Sequence, residues 1–246
     1  MSVPPVPDVS VVVPVYNEAG NVRPLAAETA AALGDRAFEI VFVNDGCDDA
    51  TGTEIAACVA ADERIRHVRH LRRAGQSAAI VTGVRAARGA IVATLDGDGQ
   101  NDPADLPALL DALGDDTMLA LVGGVRRGRR DTWVKRASSR IANTVRRAVL
   151  HDDAEDTGCG IKAFRRAAFL ALPPFDHMHR FLPALFLAAG YQVRYRDVRH
   201  RPRRHGRSKY GLGDRLWIGL ADLVGVLWLR RRLLLPTPVE EDAHGR

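Results

Sequence analysis

Two carboxylates stand two residues apart in the run Asp96-Gly97-Asp98-Gly99-Gln100. The apolar stretch Ala90-Ile91-Val92-Ala93-Thr94-Leu95 precedes them, and the turn signal Asn101-Asp102-Pro103 follows. In extended backbone, residues i and i+2 point to the same side. Asp96 and Asp98 at a strand end can therefore grip one hard cation, with Gln100 adding an amide oxygen. Mg²⁺ and Mn²⁺ favour such oxygen ligands and often share them with a substrate phosphate. An Asp/Gly-rich turn with no metal has the same composition, so the rest of the chain must decide between the two.

The elements that would carry these groups alternate. Val9 to Pro14 reads as a buried strand, followed by a helical stretch from about Glu18 to Leu33. Phe38 to Val43 is a second strand ending in Asn44-Asp45-Gly46, and a helix follows from about Ala50 to Ala61. Ile65 to Leu71 is a short strand, Ser77 to Ala87 a helix, and 90–95 the strand that delivers the carboxylates. Strand and helix alternating over short connections predict a mostly parallel sheet with helices on both faces. Ligands bind such sheets beyond the carboxyl ends of the strands, and Tyr16, Asn17, Glu18, Asp45, Asp96 and Asp98 all fall there. The second half is less regular. Trp133 to Leu150 reads as a basic helix, Ile161 to Phe164 follows the loop Asp156-Thr157-Gly158-Cys159-Gly160, Arg180 to Ala189 reads as a helix and Gln192 to Asp197 as an edge strand. The expected organisation is a loose segment over 1–8, one catalytic domain over 9–210, an apolar helix within 211–235 and a polar tail over 236–246.

The 246 residues are 46% hydrophobic and 26% charged, the balance of a folded soluble domain. The net charge of +5 is concentrated in Arg126-Arg127-Gly128-Arg129-Arg130, in Arg199 to Lys209 and in Arg230-Arg231-Arg232. Such clusters suit phosphates, nucleic acid or an anionic membrane surface. Nucleic-acid binding leaves the strand-end carboxylates unexplained, and 6% aromatic residues offer little for base stacking. The three cysteines, Cys47, Cys58 and Cys159, are too scattered for a disulfide framework or a zinc site and fit a reducing compartment. The first residues lack a charged region with an apolar core, so no signal peptide is expected. Leu216 to Leu229 is apolar but short, contains Asp222 and runs into three arginines. A spanning helix needs roughly 20 apolar residues, so this one is expected to lie at a membrane interface or to pack on protein.

No GxxxxGK[ST] loop is present, and Gly158-Cys159-Gly160 lacks the third glycine of a dinucleotide fingerprint, so phosphates must be handled by other groups. Asp45 can accept hydrogen bonds from a base or ribose, or cap the helix near Ala50. Tyr16 and Glu18 can frame the same ligand.

With these pieces placed, the chain resembles the family 2 glycosyltransferases of GT-A fold, close to the dolichyl- and polyprenyl-phosphate sugar transferases. The resemblance rests on Val12-Val13-Pro14-Val15-Tyr16-Asn17-Glu18, on Val43-Asn44-Asp45-Gly46 and on Leu95 to Gln100. Further on it rests on Ser139-Arg140 with Asn143, on Asp156 to Arg165, and on Arg201-Pro202-Arg203 with Gly206, Ser208, Lys209 and Tyr210. It implies that Pro14, Tyr16, Glu18 and Asp45 hold the nucleoside of a nucleotide-sugar (a UDP- or GDP-sugar), with Gly97 at the same site. It implies that Asp96, Asp98 and Gln100 bind a divalent metal, Mg²⁺ or Mn²⁺, on the diphosphate. Arg126, Arg140, Arg203 and Lys209 would gather around donor and acceptor phosphates, with Asp96, Asp98, Arg203 and Lys209 as the catalytic set.

Two departures stand out. Many family members carry an acidic acceptor base in a Glu-Asp pair, and His177-Met178-His179 stands here before the Arg180 helix. Many polyprenyl-phosphate transferases also carry transmembrane helices, where this chain shows one short apolar helix. The first departure has a chemical reading. A sugar hydroxyl needs a base, whereas a phosphate monoester, with a second pKa near 6, is already an oxyanion. The sequence thus predicts an inverting, metal-dependent glycosyltransferase acting on a polyprenyl phosphate, peripheral on the cytoplasmic face of the inner membrane, with an oligomer possible. The alternatives are transfer to a lipid or glycan hydroxyl with Asp156 or His179 as base, a nucleotidyltransferase, and a basic nucleic-acid-binding protein.

Overall fold

The computed structural model describes residues 6–126, 150, 156–202 and 214–232, the last segment with side chains from residue 221 onward. The expected helix at Trp133–Leu150 (save Leu150), Arg140, Arg203, Lys209 and the 236–246 tail lie outside the described residues. Seven strands form one sheet in the order β3-β2-β1-β4-β6-β5-β7. They are β1 Val9–Val15, β2 Phe38–Asn44, β3 Ile65–Arg69, β4 Ile91–Thr94, β5 Leu119–Arg126, β6 Lys162–Arg165 and β7 Gln192–Val198. All neighbours run parallel except β6, which is antiparallel to both β4 and β5. This is the mostly parallel α/β sheet that the alternation predicts, with β7 at its edge.

The helices are α1 Val22–Leu33, α2 Thr51–Ala61, α3 Gln76–Ala86, α4 Leu106–Leu113, α5 Arg166–Leu170, α6 Leu182–Ala188 and α7 Asp214–Arg232. Alternate residues of β1 feed two cores. Val9, Val11, Val13 and Val15 face α1, α2 and α4, and Val12 faces the side of α3, α5 and α6. Burial on both faces explains why β1 and β2 are mostly apolar instead of alternating, broken only by Ser10, which donates to the buried Glu39, and by Glu39 itself, until the polar Asn44 at the β2 end.

Three differences from the expected elements have local causes. The first helix begins at Val22 instead of Glu18, because Asn17 (φ 54°) and Gly20 (φ 85°) take left-handed backbone that a right-handed helix cannot include. The span 103–126, which the sequence left unassigned, holds α4 and β5. The final helix runs 19 residues, longer than its apolar stretch, because Asp214 and the three arginines join its ends. No helix among the described residues is long and apolar enough to cross a membrane.

α7 packs on the domain. Leu223 and Val226 are buried in the α3/α6 core, Asp222 Oδ2 lies 2.9 Å from His177 Nδ1, and Arg230 donates to the carbonyl of Leu150. Its opposite face exposes Val224 and Trp228.

Candidate active site

β1 and β4 pair only as far as Val12 and Thr94 and then part. Beyond that point the chain can use Pro14, which has no N–H to give to a ladder. β1 has β2 on one side and β4 on the other, so this crevice is the switch point where such sheets bind ligands. A cavity of about 510 Å³ opens there, and its lining includes Pro14, Tyr16, Glu18, Asp45, Asp96, Gly97, Asp98, Gln100 and Arg126. Every described residue of the expected site thus meets in one place. Gly97 is required by the close approach: a Cβ would collide with Val15 Cγ1.

Asp96 and Asp98 sit on the turn leaving β4. Asp96 Oδ1 accepts from Gln76 Nε2 at 2.9 Å, and its backbone N–H is held by Asn101 Oδ1 at 3.0 Å. Burial, then the neighbouring charge of Asp98, push the Asp96 carboxyl up to about 6, against the pull of Lys162, Arg126 and Gln76. Asp98 Oδ1 accepts from the backbone N–H of Gln100 at 3.0 Å. The Gln100 amide nitrogen reaches the carbonyl of Arg201 at 3.5 Å, which leaves its amide oxygen uncommitted among the described residues.

This donor set fits a divalent cation of the Mg²⁺ or Mn²⁺ kind. Two adjacent carboxylates, one resisting ionisation, are the arrangement a hard cation relieves. No group of three or more His, Cys, Asp or Glu among the described residues is placed to hold a metal. The protein therefore offers two carboxylates and an amide, and the remaining positions would fall to water and a substrate phosphate, the usual mode for Mg²⁺.

Around this pair the cations are mostly committed. Arg126 gives Nε to Asp156 Oδ2 at 2.6 Å and Nη2 to Asp156 Oδ1 at 2.7 Å. Burial works against its charge, but the Asp156 bonds outweigh it and hold the guanidinium above its ordinary pKa. Lys162, a lysine inside the apolar run Ile161–Phe164, is buried on β6 and donates to the Cys159 carbonyl. Burial lowers its pKa, with Cys159, Asp96 and Asp156 opposing. Arg73 lies over the Tyr16 ring, 4.3 Å from its centroid.

Asp45 lines the cavity but does not cap the helix near Ala50, where no side-chain cap is made. Its oxygens take the N–H groups of Ala74 and Gly75 at 2.8 Å each, and Oδ1 lies 2.7 Å from His70 Nδ1. Instead it fixes the loop leading into α3, whose first residue Gln76 lines the cavity. Glu18 holds Asn21 through Oε2 at 2.9 Å.

The two residues weighed as bases are poorly suited to that work. Asp156 is engaged by Arg126. His179 Nδ1 lies 2.7 Å from Ser77 Oγ, and burial, followed by the charges of Arg180, Lys162 and His177, pushes its pKa down to about 3.

Residues 10–172 match the family described as glycosyl transferase family 2. The chain belongs to that family. It is 34% identical over 230 residues to dodecaprenyl-phosphate galacturonate synthase of Rhizobium johnstonii, covering 91% of this chain and 68% of that one. It is 38% identical over 214 residues to undecaprenyl-phosphate 4-deoxy-4-formamido-L-arabinose transferase of Pseudomonas paraeruginosa, covering 84% and 61%. This chain thus spans only about two thirds of the length of these relatives. Among solved structures it resembles glucosyl-3-phosphoglycerate synthase of Mycobacterium tuberculosis crystallised with Mn²⁺, UDP-glucose and phosphoglyceric acid. There the TM-score is 0.66 at 22% identity, over 93% of this chain and 81% of that one, a likeness of fold. Family 2 membership makes the chain a glycosyltransferase, the enzyme class expected from the sequence.

The sequence missed Gln76, Lys162 and Arg180 as cavity residues. Only Lys162 carried a signal, a charge inside an apolar strand.

Proposed function

We propose that this family 2 glycosyltransferase moves a sugar, with inversion, from a nucleotide-sugar to a polyprenyl phosphate. The observation that carries the reading is a cavity that joins a cation-ready carboxylate pair to Arg73, Arg126, Lys162 and Arg180, while the two residues weighed as bases, Asp156 and His179, are engaged by Arg126 and Ser77. Relatives named for transfer to dodecaprenyl and undecaprenyl phosphate support the acceptor class. A fold neighbour holding Mn²⁺ and UDP-glucose supports the donor class.

Pro14, Tyr16, Glu18 and Asp45 would hold the nucleoside at the ends of β1 and β2. Asp96, Asp98 and Gln100 would hold Mg²⁺ or Mn²⁺, which when bound supplies charge neutralisation to the leaving diphosphate. Arg126 and Lys162 add fixed positive charge beside the same pair, the preorganised electrostatics that such transfers need. Arg140, Arg203 and Lys209 would add to it from segments outside the described residues. An acceptor phosphate oxygen attacks the anomeric carbon as the bond to the diphosphate oxygen breaks. No proton has to move, since the dianionic monoester becomes a monoanionic diester and the charge leaves on the nucleoside diphosphate.

On α7 the exposed Val224 and Trp228 adjoin Arg231 and Arg232, and Arg232 lies 5.9 Å from the Trp228 ring centroid. An aromatic with basic neighbours suits the headgroup layer of an anionic leaflet, so the enzyme would meet its lipid peripherally, on the cytoplasmic face. A donor panel of UDP- and GDP-sugars with undecaprenyl phosphate and Mn²⁺ tests the reading. Release of nucleoside diphosphate that needs both lipid phosphate and metal is expected. Release of pyrophosphate, or transfer only to hydroxyl acceptors, would overturn it.

A further inference from the structure

We propose that Arg180 is the residue that binds the acceptor's phosphate, an inference that rests on the reading above. Four basic side chains, other than histidine, line the cavity among the described residues: Arg73, Arg126, Lys162 and Arg180. The first three are taken up by the Tyr16 ring, by Asp156 and by the Cys159 carbonyl. Arg180 is half-buried, and its guanidinium makes no hydrogen bond, ion pair or ring contact among the described residues. A partly desolvated guanidinium without a partner is unfavourable by itself, and its planar fork matches a phosphate in two parallel bonds.

Its position is fixed by what surrounds it. Arg180 closes the 3-10 turn Met178–Arg180, which His177 enters in left-handed backbone (φ 62°). Met178 and Phe181 are buried on either side, and α6 starts immediately after at Leu182, with Pro183 in its first turn. Ser77 Oγ accepts the backbone N–H of His179 at 3.3 Å, so the hydroxyl hydrogen is left for His179 Nδ1 at 2.7 Å. That assignment puts the ring hydrogen on Nε2 and leaves His179 a neutral donor beside Arg180, in keeping with its depressed pKa. The preceding residue, Gln76, holds Asp96. One turn of α3 therefore sets Arg180's turn directly beside the carboxylate pair.

The side of the cavity identifies which phosphate. Tyr16 and Asp45 come from β1 and β2. Arg180 comes from a turn that rests on α3 and leads into α6, and α6 packs against β5 and β7 in the other half of the sheet. A donor with its nucleoside at the β1/β2 ends and its diphosphate at Asp96 and Asp98 leaves that far side to the acceptor.

The test compares wild type with Arg180→Ala, Arg180→Gln and Arg180→Lys. It measures the KM for undecaprenyl phosphate, and separately the affinity for the nucleoside diphosphate in Mn²⁺ by calorimetry. Loss of a charge-assisted bidentate contact should raise the acceptor KM about tenfold or more in the alanine and glutamine variants. Lysine should recover part of it, and nucleoside diphosphate affinity should hold within about twofold. If the alanine variant does not fold, the glutamine and lysine variants carry the same comparison. Unchanged acceptor KM would overturn the inference and leave the proposed function standing, as would a loss confined to nucleoside diphosphate binding. Failure of the wild type to glycosylate any polyprenyl phosphate would instead remove the proposed function, and the inference with it.

Discussion

The carboxylate of Asp96 fills the space in which a side chain on Gly160 would begin. A Cβ there would fall closer than 3.0 Å to Oδ1, Oδ2 and Cγ of Asp96. The Gly160 carbonyl is also tied to Thr94 Oγ1 at 2.7 Å, so the two loops are locked across the β4–β6 pair. The glycine is thus needed for what its neighbour does, since its backbone is not left-handed.

Gly160→Ala should therefore cost activity more than fold. Relieving these overlaps moves Asp96 by about 1 Å, which breaks the geometry a shared cation needs, and misplacement of that size can cost ~10²-fold in rate. Metal-dependent turnover and thermal melting of the same preparation check this. Near-normal turnover would show that Asp96 need not sit where it does.

Asp96 also makes the site a liability in the metal-free protein. Its carboxyl titrates at about 6 in the fold, against an ordinary 3.8. A raised acid keeps its proton longer in the folded chain, so its contribution to stability falls as pH rises from about 4 to 6 and stays low above. Two pKa units correspond to on the order of 3 kcal/mol. In chelator at pH 8, Asp96→Asn should melt higher than wild type, with the advantage fading as pH drops from 6 toward 4. It should also lose all metal-dependent activity. A lower melting point for Asp96→Asn at pH 8 would contradict this account of the pair.

The turn that carries Asp98 and Gln100 is braced from outside the sheet. Arg201 gives Nη1 to Glu28 at 2.5 Å and Nη2 to Asp102, and its backbone N–H holds the Gln100 carbonyl at 2.9 Å. Arg201→Ala leaves the buried Asp102 carboxylate short of a partner, a loss of about 1–3 kcal/mol. Denaturant titration should show that loss, and the metal concentration giving half-maximal rate should rise. A variant with unchanged metal dependence would confine Arg201 to a structural role.

α7 has two faces with separable jobs. Leu223→Ala should destabilise by about 2 kcal/mol or more, because its side chain is in the core. Trp228→Ser with Val224→Ser should alter stability by no more than about 0.5 kcal/mol while weakening flotation with anionic vesicles. Equal flotation of this double variant and wild type would remove the helix from membrane binding.

The parallel half of the fold was legible because β1, β2 and β4 are mostly apolar runs whose ends carry polar residues. β5 was not, because Gly123 and Gly124 interrupt its apolar pattern. Gly124 is there for contact: a Cβ would collide with Ile161. Asp96, Asp98 and Gln100 could be read from spacing alone, since a strand end imposes their common direction. Asp45's hold on the loop into α3 could not, for it joins residues about 30 positions apart. Gln76 and Arg180 gave no sequence signal, since polar residues near helix starts are ordinary.

Transfer to a lipid phosphate is the central claim, and the mass of the lipid product tests it most directly. Purified protein, undecaprenyl phosphate, Mn²⁺ and the nucleotide-sugar that releases nucleoside diphosphate should yield undecaprenyl monophosphate carrying one sugar. Nucleoside diphosphate should appear in equal amount, and neither product should form in chelator. A lipid diphosphate-sugar with release of nucleoside monophosphate, or an unmodified lipid in the presence of every donor, would contradict the account.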